Sequence, residues 1–318
     1  MPRRLSRRQY LEELGRLAFP ASALLLPPRS STLGTQRLLS ASTESIGIID
    51  THVHLWKSDP RYPWAKETTN PPNQDALPEK LLELMKANGV AKTLLIHVIY
   101  YRWDNSYMLD VLKQHPRIFR GICRVNPESP AAPDDLSRLS RTPGFAGVRL
   151  SPADGPEGDW IRGPLMPPLW KRAQDLKTVM TVLTSTRRLP DVGKLIERHP
   201  DLDVMIDHMA DCPIDQPEEL QKLLALARYP RVFVKISHMW RLSKQPYPYT
   251  DTHDMVHRLY DVFGPRRLMW GTDWPMLEPF CSYAQALSLV RDELKFLSFE
   301  DKRWVLGRTA ERIWPFPA

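Results

Sequence analysis

Residues 48–54 read Ile48-Ile49-Asp50-Thr51-His52-Val53-His54, an apolar pair that runs straight into alternating polar residues. On a strand, positions i and i+2 share one face. His52 and His54 therefore point the same way, about 6–7 Å apart at their Cα atoms from two rises of roughly 3.3 Å. Asp50 shares that side one step deeper. The apolar run that starts this stretch spans residues 46–49. Seven more follow, at 93–99, 118–125, 145–150, 179–183, 202–206, 232–236 and 268–270. Helix-like amphipathic stretches lie between them, at 79–88, 106–114, 165–176, 189–198, 218–228 and 252–263. Two more, 283–296 and 299–313, follow the last run. Runs rich in Val, Ile and Leu suit strands buried on both faces. Eight of them alternating with helices predict an α/β protein, a TIM-type (β/α)8 barrel. An open doubly wound sheet is the alternative, but no G-x-G-x-x-G follows the first run. Polar residues also stand at the C-terminal ends of several runs, where a barrel carries its active site.

Those strand ends supply the candidate chemistry. The sixth run continues Ile206-Asp207-His208 and the eighth Trp270-Gly271-Thr272-Asp273-Trp274-Pro275. Taken singly, a strand-end His is a satisfied core residue and Asp273 an N-cap. Taken together, His52, His54, His208 and Asp273 meet at one mouth, where imidazoles and a carboxylate grip a metal ion or a substrate carbonyl and move a proton. His238, just past the seventh run, is a candidate substrate contact. Arg149 ends the fourth run and Arg124 lies near the end of the third. Each is either an anchor for a substrate carboxylate or hydroxyl, or half of a structural ion pair. Trp56, Trp240 and Trp274 follow strand ends and read either as a wall for a sugar ring or as packing, as does Trp103 after the second. His97 is left open. His253-Asp254-Met255-Val256-His257 has the i, i+4 histidine spacing of a zinc protease but lacks its glutamate, and reads as a solvated helix face.

The 318 residues carry 44 Lys and Arg against 37 Asp and Glu. Residues 1–45 hold seven Arg, no Lys and three Glu, so much of the positive balance sits there. The near-balanced remainder argues against a nucleic-acid partner. Ser6-Arg7-Arg8-Gln9-Tyr10-Leu11 is similar to a twin-arginine export motif; a weakly apolar stretch (14–26) and a Pro/Ser/Thr-rich spacer (27–45) follow. The expected division is a leader over 1–45 and one barrel domain over 46–318. An exported, periplasmic location follows, with a cytoplasmic protein bearing a basic tail as the alternative. No run of 18 uncharged apolar residues occurs, which argues against a membrane bundle and a stable anchor. Cys123, Cys212 and Cys281 are widely spaced and form no C-x-x-C, so they read as small buried hydrophobes. Proline is high at 31 and glycine low at 14, which reads as stiff ordered loops.

The motif set resembles the amidohydrolase-related proteins of the amidohydrolase superfamily. The similar segments are Ile49-Asp50-Thr51-His52-Val53-His54-Leu55-Trp56, Asp104-Asn105-Ser106-Tyr107-Met108-Leu109-Asp110, Gly147-Val148-Arg149-Leu150, Asp207-His208, Val234-Lys235-Ile236-Ser237 and Trp270-Gly271-Thr272-Asp273-Trp274-Pro275. They run in order across about residues 46–316, and the branch most similar is that of the sugar-lactone and 2-pyrone-4,6-dicarboxylate lactonases. The resemblance implies a small-molecule hydrolase that opens a cyclic ester. Asp273 would act as the base, with His52, His54 and His208 at the carbonyl. Amide hydrolysis and non-oxidative decarboxylation on the same barrel are the alternatives. Two departures bear on metal. The fifth strand end, Val182-Leu183-Thr184-Ser185-Thr186, has no His, and Arg149 stands where a bridging Lys would be. The expectation is one divalent ion, zinc ahead of manganese, on His52, His54, His208 and Asp273, with a metal-free reaction as the alternative. A homo-oligomer is compatible with the chain.

Overall fold

The computed structural model describes residues 47–317; the leader read over 1–45 lies outside them. Eight strands pair in sequential order, every pair parallel: β1 (Ile48–Val53), β2 (Val90–Ile96), β3 (Phe119–Cys123), β4 (Phe145–Leu150), β5 (Val179–Val182), β6 (Asp203–Ile206), β7 (Val232–Ile236) and β8 (Leu268–Trp270). Seven helices cross back over the outside: α1 (Pro78–Asn88), α2 (Ser106–Gln114), α3 (Ala132–Leu139), α4 (Met166–Asp175), α5 (Leu189–Arg198), α6 (Pro217–Leu224) and α7 (His253–Phe263). This is the expected (β/α)8 barrel.

The seam between β8 and β1 closes just past the end of β8. Thr51 Oγ1 donates to the Trp270 carbonyl (2.7 Å), Asp273 N to His52 O (2.8 Å) and His54 N to Trp274 O (2.8 Å). Asp50 pins the same seam from below. Its buried carboxylate accepts from His52 N, Thr272 N, Thr272 Oγ1 and Tyr283 OH at 3.1, 3.0, 2.6 and 2.8 Å. Gly271 is required there, because a Cβ at that position would lie 2.7 Å from the Cβ of His52.

The apolar residues sort into two layers. Outward-facing strand residues such as Leu95, Val148, Val204, Val234 and Leu268 pack under the helices. Leu94, Ile96, Ile122, Met205, Phe233 and Met269 form a smaller inner cluster that floors the barrel. Strand alternation carries that inner side upward by two residues. From Ile122 it reaches Arg124, from Met205 Asp207 and from Phe233 Lys235. A charged layer thus lies directly above the apolar floor.

Two differences from the sequence reading have local causes. Helix α3 is absent from it, because Pro127, Pro130 and Pro133 mask the helical pattern; Pro133 in fact sits in the first turn, where proline is tolerated. The segments 283–296 and 299–313 are broken by π-turns at Leu289–Glu293 and Trp304–Arg308. Gly307 in the second lets the helix backbone close onto Gly47, whose carbonyl a Cβ would overlap. His253 and His257 lie on α7, half-buried and exposed; His253 Nε2 is 3.0 Å from Pro248 O and His257 stacks on Phe296. They are a helix face, not a metal pair.

Candidate active site

The β1, β6, β7 and β8 ends bring His52, His54, His208, His238 and Asp273 into one buried cluster. Asp273 is its hub. Its Oδ1 lies 3.0 Å from His54 Nε2 and 3.6 Å from His52 Nε2, and its Oδ2 lies 2.8 Å from His238 Nε2. His208 hydrogen-bonds Ser237 Oγ through Nδ1 (2.8 Å), lies 4.2 Å from His52 between ring centroids and stacks face to face on His238 at 3.4 Å. His238 is held between two carboxylates, with Asp211 Oδ1 2.8 Å from its Nδ1.

The backbone that aims these groups is unusual. His208, Met209, Ala210 and Asp211 form four consecutive left-handed residues (φ 51, 53, 55 and 42°), and His238 (φ 64°) and Asp273 (φ 63°) are left-handed too. None is glycine. Left-handed L-residues cost roughly 1–2 kcal/mol each, so the site stores strain of the kind found where geometry serves function. The buried contacts around it must outweigh that strain.

Beneath the cluster lies a charged layer that the sequence reading does not assign. Asp207 is fully buried and paired twice, with Lys235 Nζ at 3.1 Å from Oδ1 and Arg149 Nε at 3.0 Å from Oδ2. Burial pushes the Asp207 carboxyl up, but the charges of Lys235, His52 and Arg149 outweigh it and hold it well below the usual carboxylate range. Burial lowers Lys235 while Asp207 opposes the shift. His52 sits on top, its Nδ1 3.3 Å from Lys235 Nζ and 3.4 Å from Asp207 Oδ1. The signal was present: Val232-Phe233-Val234-Lys235-Ile236 puts one lysine in an otherwise apolar strand. Such a residue is almost never fully buried without a partner.

Burial, with the Lys235 charge, keeps His52 neutral well below its ordinary pKa. Burial and the neighbouring His238 and His52 do the same for His208. His238 runs the other way. Burial lowers it, but hydrogen bonds and charge from Asp211 and Asp273 win and raise it. Asp273 is pushed up by burial, yet His238 and His54 hold it well below the usual range. The cluster therefore offers an ionised carboxylate, an imidazolium and neutral imidazoles.

One contact tests whether the set suits a cation. His54 Nδ1 lies 2.7 Å from Ile96 O, which can only accept, so Nδ1 carries the proton. In a neutral ring Nε2 is then an acceptor. It faces Asp273 Oδ1, another acceptor, at 3.0 Å. That oxygen is buried and makes no hydrogen bond. A positive charge between the two, a second proton or a divalent cation, reconciles them. Three donor groups overlap there, His52/His54/Asp273, His52/Asp207/His208 and His208/His238/Asp273, each with ligand atoms within 4.8 Å. The residues fit a divalent ion.

The remaining predicted contacts divide. Arg149 takes the ion-pair alternative, as above. Arg124 makes no ion pair among the described residues; it donates to His97 O (3.1 Å) and Ser151 Oγ (2.9 Å). Trp56 is buried and bonded to Gln74 O, and Trp274 is buried and bonded to Glu278. Trp240 packs between His238 and the half-exposed Phe280, at 4.9 and 4.6 Å between centroids. Of the three indole rings, that of Trp240 packs on a cluster histidine.

A family model described as amidohydrolase matches residues 49–316. L-fucono-1,5-lactonase of Burkholderia ambifaria is 31% identical over 234 residues, covering 72% of this chain and 80% of that protein. 4-Sulfomuconolactone hydrolase of Hydrogenophaga intermedia is 28% identical over 236 residues, covering 72% of this chain and 75% of that protein. The crystal structure of an amidohydrolase from Burkholderia multivorans aligns with a TM-score of 0.72 at 24% identity, over 85% of this chain and 99% of that one, a likeness of fold.

Proposed function

The chain belongs to the amidohydrolase family, and on that premise we propose that it is a hydrolase opening a cyclic ester, a lactone of the sugar-lactone kind. The observation that carries this reading is the ionised, buried Asp273 set among three imidazoles, the groups that water attack on an ester carbonyl needs. The names of the lactone-hydrolysing relatives support the substrate class.

Asp273 accepts a proton from water as the water oxygen bonds to the lactone carbonyl carbon. The tetrahedral oxyanion collapses, the ring C–O bond breaks, and the ring oxygen takes that proton from Asp273. The product is the open hydroxy acid. His238, charged between Asp211 and Asp273, holds the carboxylate in place. Arg149 and Lys235 orient His52 through Asp207. Trp240 forms one wall for the substrate ring, and Trp56 and Trp274 support the loops around it. His52, His54, His208 and Asp273 would hold a single divalent ion, zinc in our reading. When bound, such an ion polarises the ester carbonyl and eases deprotonation of water at neutral pH. The leader at 1–45 supports export of the folded barrel.

Metal content and lactone hydrolysis before and after chelation test this. The expected result is about one equivalent of zinc per chain, with activity lost on chelation and restored by the ion. Activity that survives in metal-free protein refutes the metal assignment, with the histidines then as hydrogen-bond donors to the carbonyl. Bound metal with no lactone turned over refutes the lactonase reading and favours amide hydrolysis or decarboxylation.

A further inference from the structure

Among the described residues five large apolar side chains are exposed, and three of them, Ile99, Met276 and Phe280, stand on loops that leave the C-terminal ends of strands. Two of the three lie in the loop that follows Asp273. Single apolar side chains scattered over a surface are ordinary. These gather on the loops where a barrel binds its ligand. Phe280 is 45% exposed and yet firmly held. Its N donates to Leu277 O (2.8 Å) and its carbonyl accepts from Tyr249 OH (3.0 Å), so the loops after β7 and β8 fix it together.

One face of the Phe280 ring is covered. It stacks on Trp240 at 4.6 Å, Trp240 meets His238 at 4.9 Å, and His238 stacks on His208 at 3.4 Å. Four rings therefore run from the catalytic cluster out to solvent. Phe280 stands two ring contacts from His238, whose Nε2 is 2.8 Å from Asp273 Oδ2. The indole N–H is a second observation. Trp56 and Trp274 donate to Gln74 O and Glu278 Oε1. Trp240 Nε1, on a side chain only 7% exposed, donates to no protein atom among the described residues. A largely buried indole N–H as a rule has an acceptor. An open aromatic face beside an N–H without an acceptor matches a sugar ring, which carries one face of C–H groups and a rim of hydroxyls.

We propose that Phe280 and Trp240 form a stacking subsite for a second sugar ring, so that the substrate is an aldonolactone carrying a glycosyl group away from its ester carbonyl. The exposed face of Phe280 takes the C–H face of that ring, with Trp240 Nε1 as the donor for its hydroxyl rim. The substrate class rests on the lactonase reading; the subsite does not. Such a contact lies away from the breaking bond and holds ground state and transition state alike, so it acts through KM.

Plain and glycosylated lactones test it: D-glucono-1,5-lactone against cellobiono-, maltobiono- and lactobiono-1,5-lactone. The stable open acids serve as calorimetric probes of binding. Wild-type protein is compared with Phe280→Ala, Phe280→Tyr and Trp240→Phe. At least one glycosylated lactone is expected to exceed gluconolactone about tenfold in kcat/KM, the scale of one stacked ring. The gain lies in KM, with kcat within about twofold. The matching open acid binds tighter than gluconate by a similar factor. Phe280→Ala brings both ratios to about one, Phe280→Tyr keeps them, and Trp240→Phe lowers them in part. No preference in turnover or binding, or a Phe280→Ala variant that weakens plain and glycosylated members by the same factor, overturns the subsite; the phenyl ring then only props Trp240. A Phe280-dependent preference for γ-phenyl-γ-butyrolactone over γ-butyrolactone, with none for a glycosyl ring, overturns the sugar assignment in favour of an aryl group. Glycosylated acids that bind through Phe280 while no lactone is hydrolysed leave the subsite standing and refute the lactonase.

Discussion

Asp273→Asn is expected to leave a folded barrel that has lost turnover by about a thousandfold or more, the range of a removed general base or metal-site carboxylate. The amide keeps the size of the carboxylate and can still accept from His238, at 2.8 Å in the wild type. What it loses is proton affinity and charge. KM should therefore move severalfold at most while kcat collapses, the signature of an interaction made in the transition state. A kcat within tenfold of wild type would remove Asp273 from the chemistry. The pH profile checks the same group. Asp273 must be ionised to act, and His238 and His54 overcome the burial penalty to hold it well below the usual range. Burial likewise keeps His52 and His208 neutral far below 6.5. Lowering the pH from 7 to 5 should leave Asp273 ionised, so any acidic limb near 6 belongs to Asp50, raised to about 6 beneath the seam; a limb near 6 that persists in Asp50→Asn would contradict this assignment. The stability linkage has the same sign. A depressed carboxylate stabilises the fold above its unfolded pKa, roughly 3.9, and that contribution is lost as pH falls through the folded value. Asp50, raised to about 6 chiefly by burial, runs oppositely, and its contribution weakens as pH rises toward 6.

Asp207→Asn should be the most damaging single change to stability among residues that do not touch the substrate. It leaves Lys235 and Arg149, both buried, facing a neutral amide. Breaking one side of a buried ion pair costs roughly 3–5 kcal/mol, which for a barrel of this size lowers Tm by on the order of 10 °C. A thermal melt reads it directly; a shift under 2 °C would show that the pair carries little. Asp207→Asn should also lower kcat/KM, because Asp207 lies 3.4 Å from His52 Nδ1 and begins the left-handed turn that carries His208. Lys235→Met provides the contrast. It removes the cation and keeps the side-chain length, so Asp207 retains Arg149 and the loss should be smaller.

Much of the barrel is legible from the order of residues, for a physical reason. Strands buried on both faces must be apolar throughout, so each appears as a short run of Val, Ile, Leu or Met. Polar residues closing such a run stand out, and His52, His54, His208 and Asp273 are visible as strand ends. Alternation then places them on the inner side without any coordinates. Helix α3 escapes because its prolines are helix-breaking in most contexts and harmless only in the first turn, a position that only the folded chain identifies. Lys235 and Asp207 were readable as charges in or beside apolar strands, but their pairing across β6 and β7 depends on register.

What the tertiary structure alone decides is which of several similar groups is already satisfied. Arg124 and Arg149 are equivalent on paper, each an arginine near the end of a strand. Whether either is free depends on a carboxylate 58 positions away in the chain, Asp207, which reaches Arg149 and not Arg124. The two opposed acceptors of His54 and Asp273 arise in the same way, from a seam joining the first strand to the last. Periodicity along the chain reports burial, because burial acts on each residue locally. Pairing is a relation between distant residues, and distances of 3 Å are set only when the barrel closes.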